Sequence, residues 1–348
     1  MMPRLSVIIP VYNTPKELLE HCIDSIRQNL QDMEEAEVLL INDGSTAPHI
    51  EQMLQDAEAS DSRFKYVYKE NGGVSETRNV GIDMAKSEYI TFVDADDYLE
   101  PEALQYMVEK MEETGADMGI YGYNKEMSAQ IPKFQKVLTE EEKRKVLFNV
   151  IAFLYNADRI KYKINCHASW GIFFKKSILD KYSLRFNTNI AFSEDSIFNF
   201  CYITYINKVY VDNKPVYHYV GHLESVTQKC TNGRNRNLPT LIRAWEEFIL
   251  NNYHDDKSVW HLLGIRTLVE IKLGRLQYFT HPQNQKTFWE LKSEMADFLY
   301  QPSIKKWIQV LRLSDAKDKV ELKQIILLKL HLYWIFLITE RRKRAKCK

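Results

Sequence analysis

The chain has 348 residues, 45% hydrophobic and 27% charged, a composition that excludes a disordered or fibrous protein and predicts one large domain with an appended region, or two domains. Its 47 basic and 47 acidic side chains cancel, yet residues 1–120 hold 25 acids against 9 bases, a net of −16, which leaves +16 for the remainder. The acidic part argues against direct polyanion binding there unless a metal intervenes, and the basic part suits phosphates or an anionic membrane surface.

The N-terminal stretch MMPRLSVIIPVYN is too short for a secretory signal and is broken by Pro10. Five cysteines (Cys22, Cys166, Cys201, Cys230, Cys347), odd in number and without a CxxC pair, fit a reducing compartment. Both features predict a cytoplasmic protein. Four β-branched runs then read as strands: 5–10 (LSVIIP), 37–42 (EVLLIN), 64–68 (FKYVY) and 88–93 (EYITFV). Helical patterns lie between them. One spans 15–30, with Thr14 as N-cap, Pro15 at the first helical position and Leu18, Leu19, Cys22, Ile23 and Ile26 on one stripe; another spans 75–85. This alternation predicts βαβ units and a mostly parallel sheet. After residue 140 the chain becomes increasingly helical, near 237–252, 257–279, 284–300 and 316–339. The stretch 208–220 (KVYVDNKPVYHYV) reads as a hairpin turning at 213–215, and a boundary near 232 gives regions 1–232 and 233–348.

In an open α/β sheet, ligands bind beyond the carboxyl ends of the strands. There the sequence places Val11-Tyr12-Asn13, Asp43-Gly44-Ser45, Glu70-Asn71-Gly72-Gly73 and Asp94-Ala95-Asp96-Asp97. Three carboxylates in four residues repel one another unless a cation neutralises them, and hard oxygen ligands suit Mg²⁺ or Mn²⁺, which bind substrate phosphates as well. The bland alternative is that Asp96 or Asp97 caps the next helix or forms an Asx turn. Arg78, at the start of a helix behind two glycines, suits a phosphate or a base, or is a surface arginine. Neither GxGxxG nor GxxxxGK[ST] occurs, so dinucleotide and P-loop classes lack their fingerprints.

Together, SVIIPVYN (6–13), LLEHCIDSIRQ (18–28), VLLINDGST (38–46), ENGGVSETRNVGIDMAKSEYITFVDADDYLEPEAL (70–104) and SEDSIFN (193–199) resemble the family 2 glycosyltransferases over about the first 230 residues. The resemblance implies a GT-A fold, a Rossmann-like, mostly parallel α/β sheet, here with a helical C-terminal extension. It implies an inverting transferase that takes a nucleotide-diphospho-sugar, a UDP-sugar first, and a divalent metal (Mn²⁺ or Mg²⁺). Pro10, Tyr12, Asp43 and Asn71 would surround the nucleotide, with Asp43 accepting from the uracil imide and Arg78 over the base or diphosphate. Asp94 and Asp96 match the family's DxD, so Asp94, with Ala95, would lie by the ribose and Asp96 would hold the metal. Asp195 would be the general base and Glu194 its neighbour in orienting it or meeting the acceptor, although both acids also suit a helix N-terminus. In PVYHYVGHLESVT (215–227), His222 and Ser225 would reach the diphosphate. Thr77 and Ser87 depart from the family's usual alanine and glycine.

Residues 325–338 form a dense apolar run interrupted by Lys329 and His331, and Arg341, Arg342, Lys343, Arg344, Lys346 and Lys348 follow. A bilayer span needs about 20 apolar residues. The run therefore reads as an interfacial helix, with Tyr333 and Trp334 at headgroup level and the basic cluster on anionic lipids, or as a final core helix with a solvated basic end. The expected partners are a nucleotide-sugar donor and a glycan or lipid-linked glycan acceptor at the inner membrane face, as in capsule, O-antigen or exopolysaccharide assembly; no nucleic acid is expected. The alternatives are a catalytically inactive scaffold subunit of a glycan-assembly complex and a sugar nucleotidyltransferase, the latter lacking its glycine-rich loop after the first strand.

Overall fold

The strand β1 (Leu5–Val11) is apolar on both faces because helices cover both. Leu5, Val7, Ile9 and Val11 share a core with Leu19, Cys22, Ile23 and Ile26 of α1 (Lys16–Asn29), while Ile8 meets Gly81 of α3 (Val74–Met84) on the other face. Each such side chain taken from water contributes about 1.5–3 kcal/mol, so this strand is the natural centre of the fold. These positions come from a computed structural model that describes residues 3–124, 134–152, 165–221 and 229–339.

The described residues pack as two units. The first, drawn from residues up to 150, 165–188 and 194–220, holds every described strand. Beside β1 lie β2 (Ala36–Asp43), β3 (Phe64–Lys69), β4 (Tyr89–Phe92), β5 (Tyr98–Leu99), β6 (Met118–Asn124), β7 (Gln135–Val137), β8 (Ile172–Lys175) and β9 (Val209–His218). They join in the order β3-β2-β1-β4-β8-β6-β9-β5, with β7 on β9. β1 runs parallel to β2 and β4, and β2 to β3, so the loops after β1, β2, β3 and β4 share one edge. The connecting helices are α1, α2 (Pro48–Ser60) and α3, followed by α4 (Ala103–Thr114), α5 (Glu140–Ala152), α6 (Lys176–Lys181) and α7 (Glu194–Thr204).

Two local expectations change. The cap of α1 is Pro15, with φ −52° and ψ 140° and no side-chain hydrogen bond; Thr14 sits one residue too early and is buried. The stretch 208–220 is not a hairpin. Its first half pairs parallel to β6 and antiparallel to β7, and Tyr217 and His218 pair antiparallel to Leu99 and Tyr98, because both halves find partners elsewhere in the sheet. The expected turn residues form an irregularity with Pro215 opposite Gly122, where a Cβ would lie 2.3 Å from the Asn213 carbonyl oxygen.

The second unit contains 151–152, 189–193, Gly221 and 229–339 and is helical: α8 (Gly233–Tyr253), α9 (Lys257–Gly274), α10 (Phe288–Leu299), α11 (Pro302–Val310) and α12 (Lys319–Lys329). α9 is buried on nearly every side and continues as a π-helical turn over 275–279. The apolar run 325–338 is not one helix. α12 ends at Lys329, His331 takes φ +60°, and Ile325, Leu328, Tyr333 and Leu337 are buried in this unit, so Tyr333 is core and not at headgroup level. Among the described residues no helix is long and apolar enough to cross a membrane.

Candidate active site

At the end of β2, Asp43 is buried and its carboxylate gathers the loop after β3 around itself. Oδ1 accepts from Lys69 Nζ (2.7 Å) and the Gly72 N–H (2.9 Å), and Oδ2 from the Gly73 N–H (2.9 Å) and Asn71 Nδ2 (3.2 Å). Asn71 Nδ2 also meets the Asp43 carbonyl oxygen at 2.9 Å. Gly44, at φ +66°, permits this approach, since a Cβ there would lie 2.7 Å from the Asn71 nitrogen. Four donors fill the acceptor capacity of a carboxylate. A further donor would have to displace one of them, and the Asn71 contact is the longest. Lys69 was not singled out from sequence; its only signal was a cation at a strand end.

Neighbouring β1 ends in Pro10 and Val11, followed by Tyr12, which is 54% exposed and so free to stack. Asn13, at φ +49°, accepts from the N–H groups of Thr46 (2.8 Å) and Ala47 (2.9 Å), tying the loops after β1 and β2 together.

Arg78 lies in the second turn of α3 and is not a surface arginine: it is 3% exposed. Its Nη1 donates to Asp195 Oδ1 (2.7 Å) and Glu194 Oε1 (3.2 Å), and its Nη2 donates to Asp94 Oδ1 (2.9 Å). One cation thus joins the acids after β4 to those opening α7. The ring of Phe186 lies 5.3 Å from the guanidinium and stacks on Phe198 of α7. Asn79 fixes that ring's backbone, donating to the Phe186 carbonyl (2.9 Å) and accepting its N–H (2.7 Å). Sequence reasoning gave Asn79 and Phe186 no role, although Asn79 stands beside Arg78.

Burial works to lower the Arg78 pKa, but Asp195, Asp94 and Glu194 more than offset it, so the guanidinium stays charged. Burial also raises Asp195 to about 7; Arg78 opposes this, and Glu194 and Asp94 add to it. Asp94 is raised mainly by burial, with Arg78 opposing and Asp96 adding.

The cluster after β4 divides its labour. Asp97 is buried, accepting from the Tyr217 hydroxyl (2.7 Å) and the Val220 N–H (2.7 Å), while Tyr217 in turn accepts the Asp94 N–H (3.1 Å). Trp170 stacks on Tyr217 at 4.5 Å. Asp97 is thus a structural acid that sets the turn, Ala95 is buried beneath it, and Asp94 and Asp96 remain partly exposed. Among the described residues no group of three or more His, Cys, Asp or Glu side chains is arranged to hold a metal unaided. Asp94 and Asp96 offer oxygen donors of the kind that suit a divalent cation. His222 and Ser225 lie outside the described residues, as does the basic cluster 341–348.

A family model, Glycosyl transferase family 2, matches residues 6–183, and the chain belongs to that family. The uncharacterized glycosyltransferase EpsJ of Bacillus subtilis (strain 168) is 30% identical over 235 residues, which cover 66% of this chain and 64% of EpsJ, a little under two-thirds of that relative's length. Staphylococcus aureus TarS 1-349, in complex with UDP-GlcNAc, superposes with a TM-score of 0.66 at 19% identity over 98% of this chain and 92% of its own. The mannosyltransferase PcManGT of Pyrobaculum calidifontis, in complex with GDP-Man and Mn²⁺, does so with a TM-score of 0.53 at 15% identity over 100% and 88%. The fold they share with this chain is the GT-A arrangement expected from its sequence, an α/β sheet with a helical C-terminal portion.

Proposed function

We propose that this chain transfers a sugar from a nucleotide diphosphate donor, a UDP-sugar first, to an acceptor hydroxyl with inversion at the anomeric carbon. The observation that carries this reading is Asp195, raised to about 7 by burial while Arg78 holds one of its oxygens 2.7 Å away. A sugar hydroxyl is a poor nucleophile at neutral pH, and a carboxylate titrating near the working pH is well matched to take its proton. One base and one displacement give inversion. Glu194 shares Arg78 and orients its neighbour. Tyr12 offers its ring to the base, and Pro10, Asp43 and Asn71 shape that end of the site; His222 and Ser225 are assigned to the diphosphate by resemblance to the family.

Asp96, with Asp94 beside the ribose, is assigned to Mn²⁺ or Mg²⁺. When bound, the metal stabilises the charge that develops on the departing diphosphate. The ligands named for TarS and PcManGT support a nucleotide-sugar donor and, for PcManGT, a metal. The acceptor assigned here is a glycan or lipid-linked glycan of a capsule, O-antigen or exopolysaccharide pathway at the inner face of the membrane.

The test is calorimetric titration of UDP, dTDP and GDP, with and without Mn²⁺, into the wild type and Asp96→Ala. Metal-dependent UDP binding that Asp96→Ala removes is the expected result. Absence of nucleotide binding under every condition overturns the reading and favours a scaffold subunit; pyrophosphate release from a nucleoside triphosphate and a sugar 1-phosphate would favour a nucleotidyltransferase.

A further inference from the structure

We propose that a cavity in the helical unit takes one hydrocarbon chain of an anionic phospholipid at a bilayer surface. The cavity has a volume of about 270 Å³ and lies between α10, α11, α12 and the segment after α12. Its floor is made by Met295, Leu299, Ile308 and Leu328, all buried. That apolar floor offers water few hydrogen bonds.

Three cations surround this apolar space. Lys292, Lys305 and Lys329 line it, and among the described residues none of the three has a carboxylate partner. Lys329 Nζ donates to the Gln309 carbonyl (3.1 Å), and Lys292 Nζ lies 4.7 Å from the centre of the Trp334 ring. Two acids near the cavity are engaged elsewhere, Glu294 with Lys286 and Tyr278 and Glu246 with Lys306 and Trp307, while Asp297 of α10 is exposed. Tyr300 of the lining is open to solvent, and beside the lining residues stand Trp289, 71% exposed, Leu330, 60% exposed, and Leu332.

An inorganic or nucleotide anion would use the lysines and leave the floor bare, and a neutral acyl chain would do the reverse. A phospholipid uses both, with its phosphate among the ammonium groups and its chain in the cavity, while the exposed Trp and Leu enter the interface. This site lies in described residues, does not invoke the basic cluster 341–348, and does not rest on the transferase reading.

The test uses the full chain and sedimentation with phosphatidylcholine vesicles, with and without phosphatidylglycerol. The wild type should bind the anionic vesicles at least about tenfold more tightly, with a blue shift in tryptophan emission. Lys305→Glu with Lys329→Glu should remove that preference at unchanged melting temperature, and Ala296→Phe, which fills the cavity, should weaken binding while leaving the lysines in place. Where Ala296→Phe does not melt cooperatively, Ala296→Leu is read instead. Failure of the wild type to bind overturns the proposal. So does undiminished binding by the lysine variant, which would assign the attraction to the basic cluster, or by a folded cavity variant, which would make it surface charge alone. Loss of vesicle binding to millimolar inorganic phosphate at constant ionic strength would mark a simple anion site and overturn it as well.

Discussion

The buried guanidinium of Arg78 faces the partly exposed Asp94, Glu194 and Asp195, and the protonation of the last of these follows from that competition. Burial alone would drive Asp195 higher still; Arg78 draws it back to about 7. A base must be ionised to act, so kcat/KM should rise with pH through about 7 and level off above it, and Asp195→Asn should cost about 10²- to 10⁴-fold in kcat at unchanged donor affinity, measured by initial rates and calorimetry. Arg78→Met removes the cation that opposes burial, so the midpoint of that pH profile should move upward. Taking away the buried cation that three partly exposed acids share should also lower stability, read by urea unfolding. Much of this site was legible in the sequence as separate motifs. That one arginine joins Asp94 after β4 to the acids of α7, 100 residues further on, was not, because an ion pair across that separation leaves no periodic trace.

The elements themselves were the most legible level. The four early strands and two of the three helices between them, α1 and α3, match the structure to within one or two residues, since continuous β-branched runs and a single apolar stripe each admit few packings; α2 was not read from the sequence. The sites of close approach between elements were less visible. Gly81 sits where α3 meets β1, and a Cβ there would lie 2.3 Å from Ile8 Cγ2 and 3.1 Å from Ile41 Cδ1. Gly81→Ala should therefore force the helix outward and cost about 1–3 kcal/mol, seen as a lower urea midpoint at unchanged slope. The same reasoning explains the misread hairpin: alternation and a turn signal predict a strand pair, but which strands pair is decided by partners far away in the chain, here β6 and β5.

Across the molecule both units combine an apolar core with buried charge. As the sheet unit buries Arg78, the helical unit buries Glu270, 1% exposed, between Arg266 and Arg234, each 2.7 Å away, and gives it the Ser193 hydroxyl at 2.7 Å. Burial would raise the Glu270 pKa, but the two arginines and Ser193 bring it below its ordinary 4.5. A depressed carboxyl contributes stability above its unfolded value that is lost as pH falls through the folded one, so that contribution should fade below about pH 4.5. Glu270→Gln should remove this acid-sensitive component and, by leaving the buried Arg266 and the partly exposed Arg234 without their carboxylate, lower stability by about 3–5 kcal/mol at neutral pH, as followed by urea unfolding across pH. The +16 of the C-terminal part hid this arrangement, since net charge does not reveal which charges are buried.

The sequence by itself determined the alternation of strand and helix, the family, and the acids and glycines at the sheet's carboxyl edge, because these depend on local period and on residue types at short spacing. Only the tertiary structure decided that Asp97 is a scaffold for its neighbours, that Arg78 is shared by three acids, that the last apolar run folds back into a core, and that three lysines ring a cavity. Each of these depends on burial and on partners distant in sequence, which set the energy of a charge or an apolar side chain far more than its immediate neighbours do.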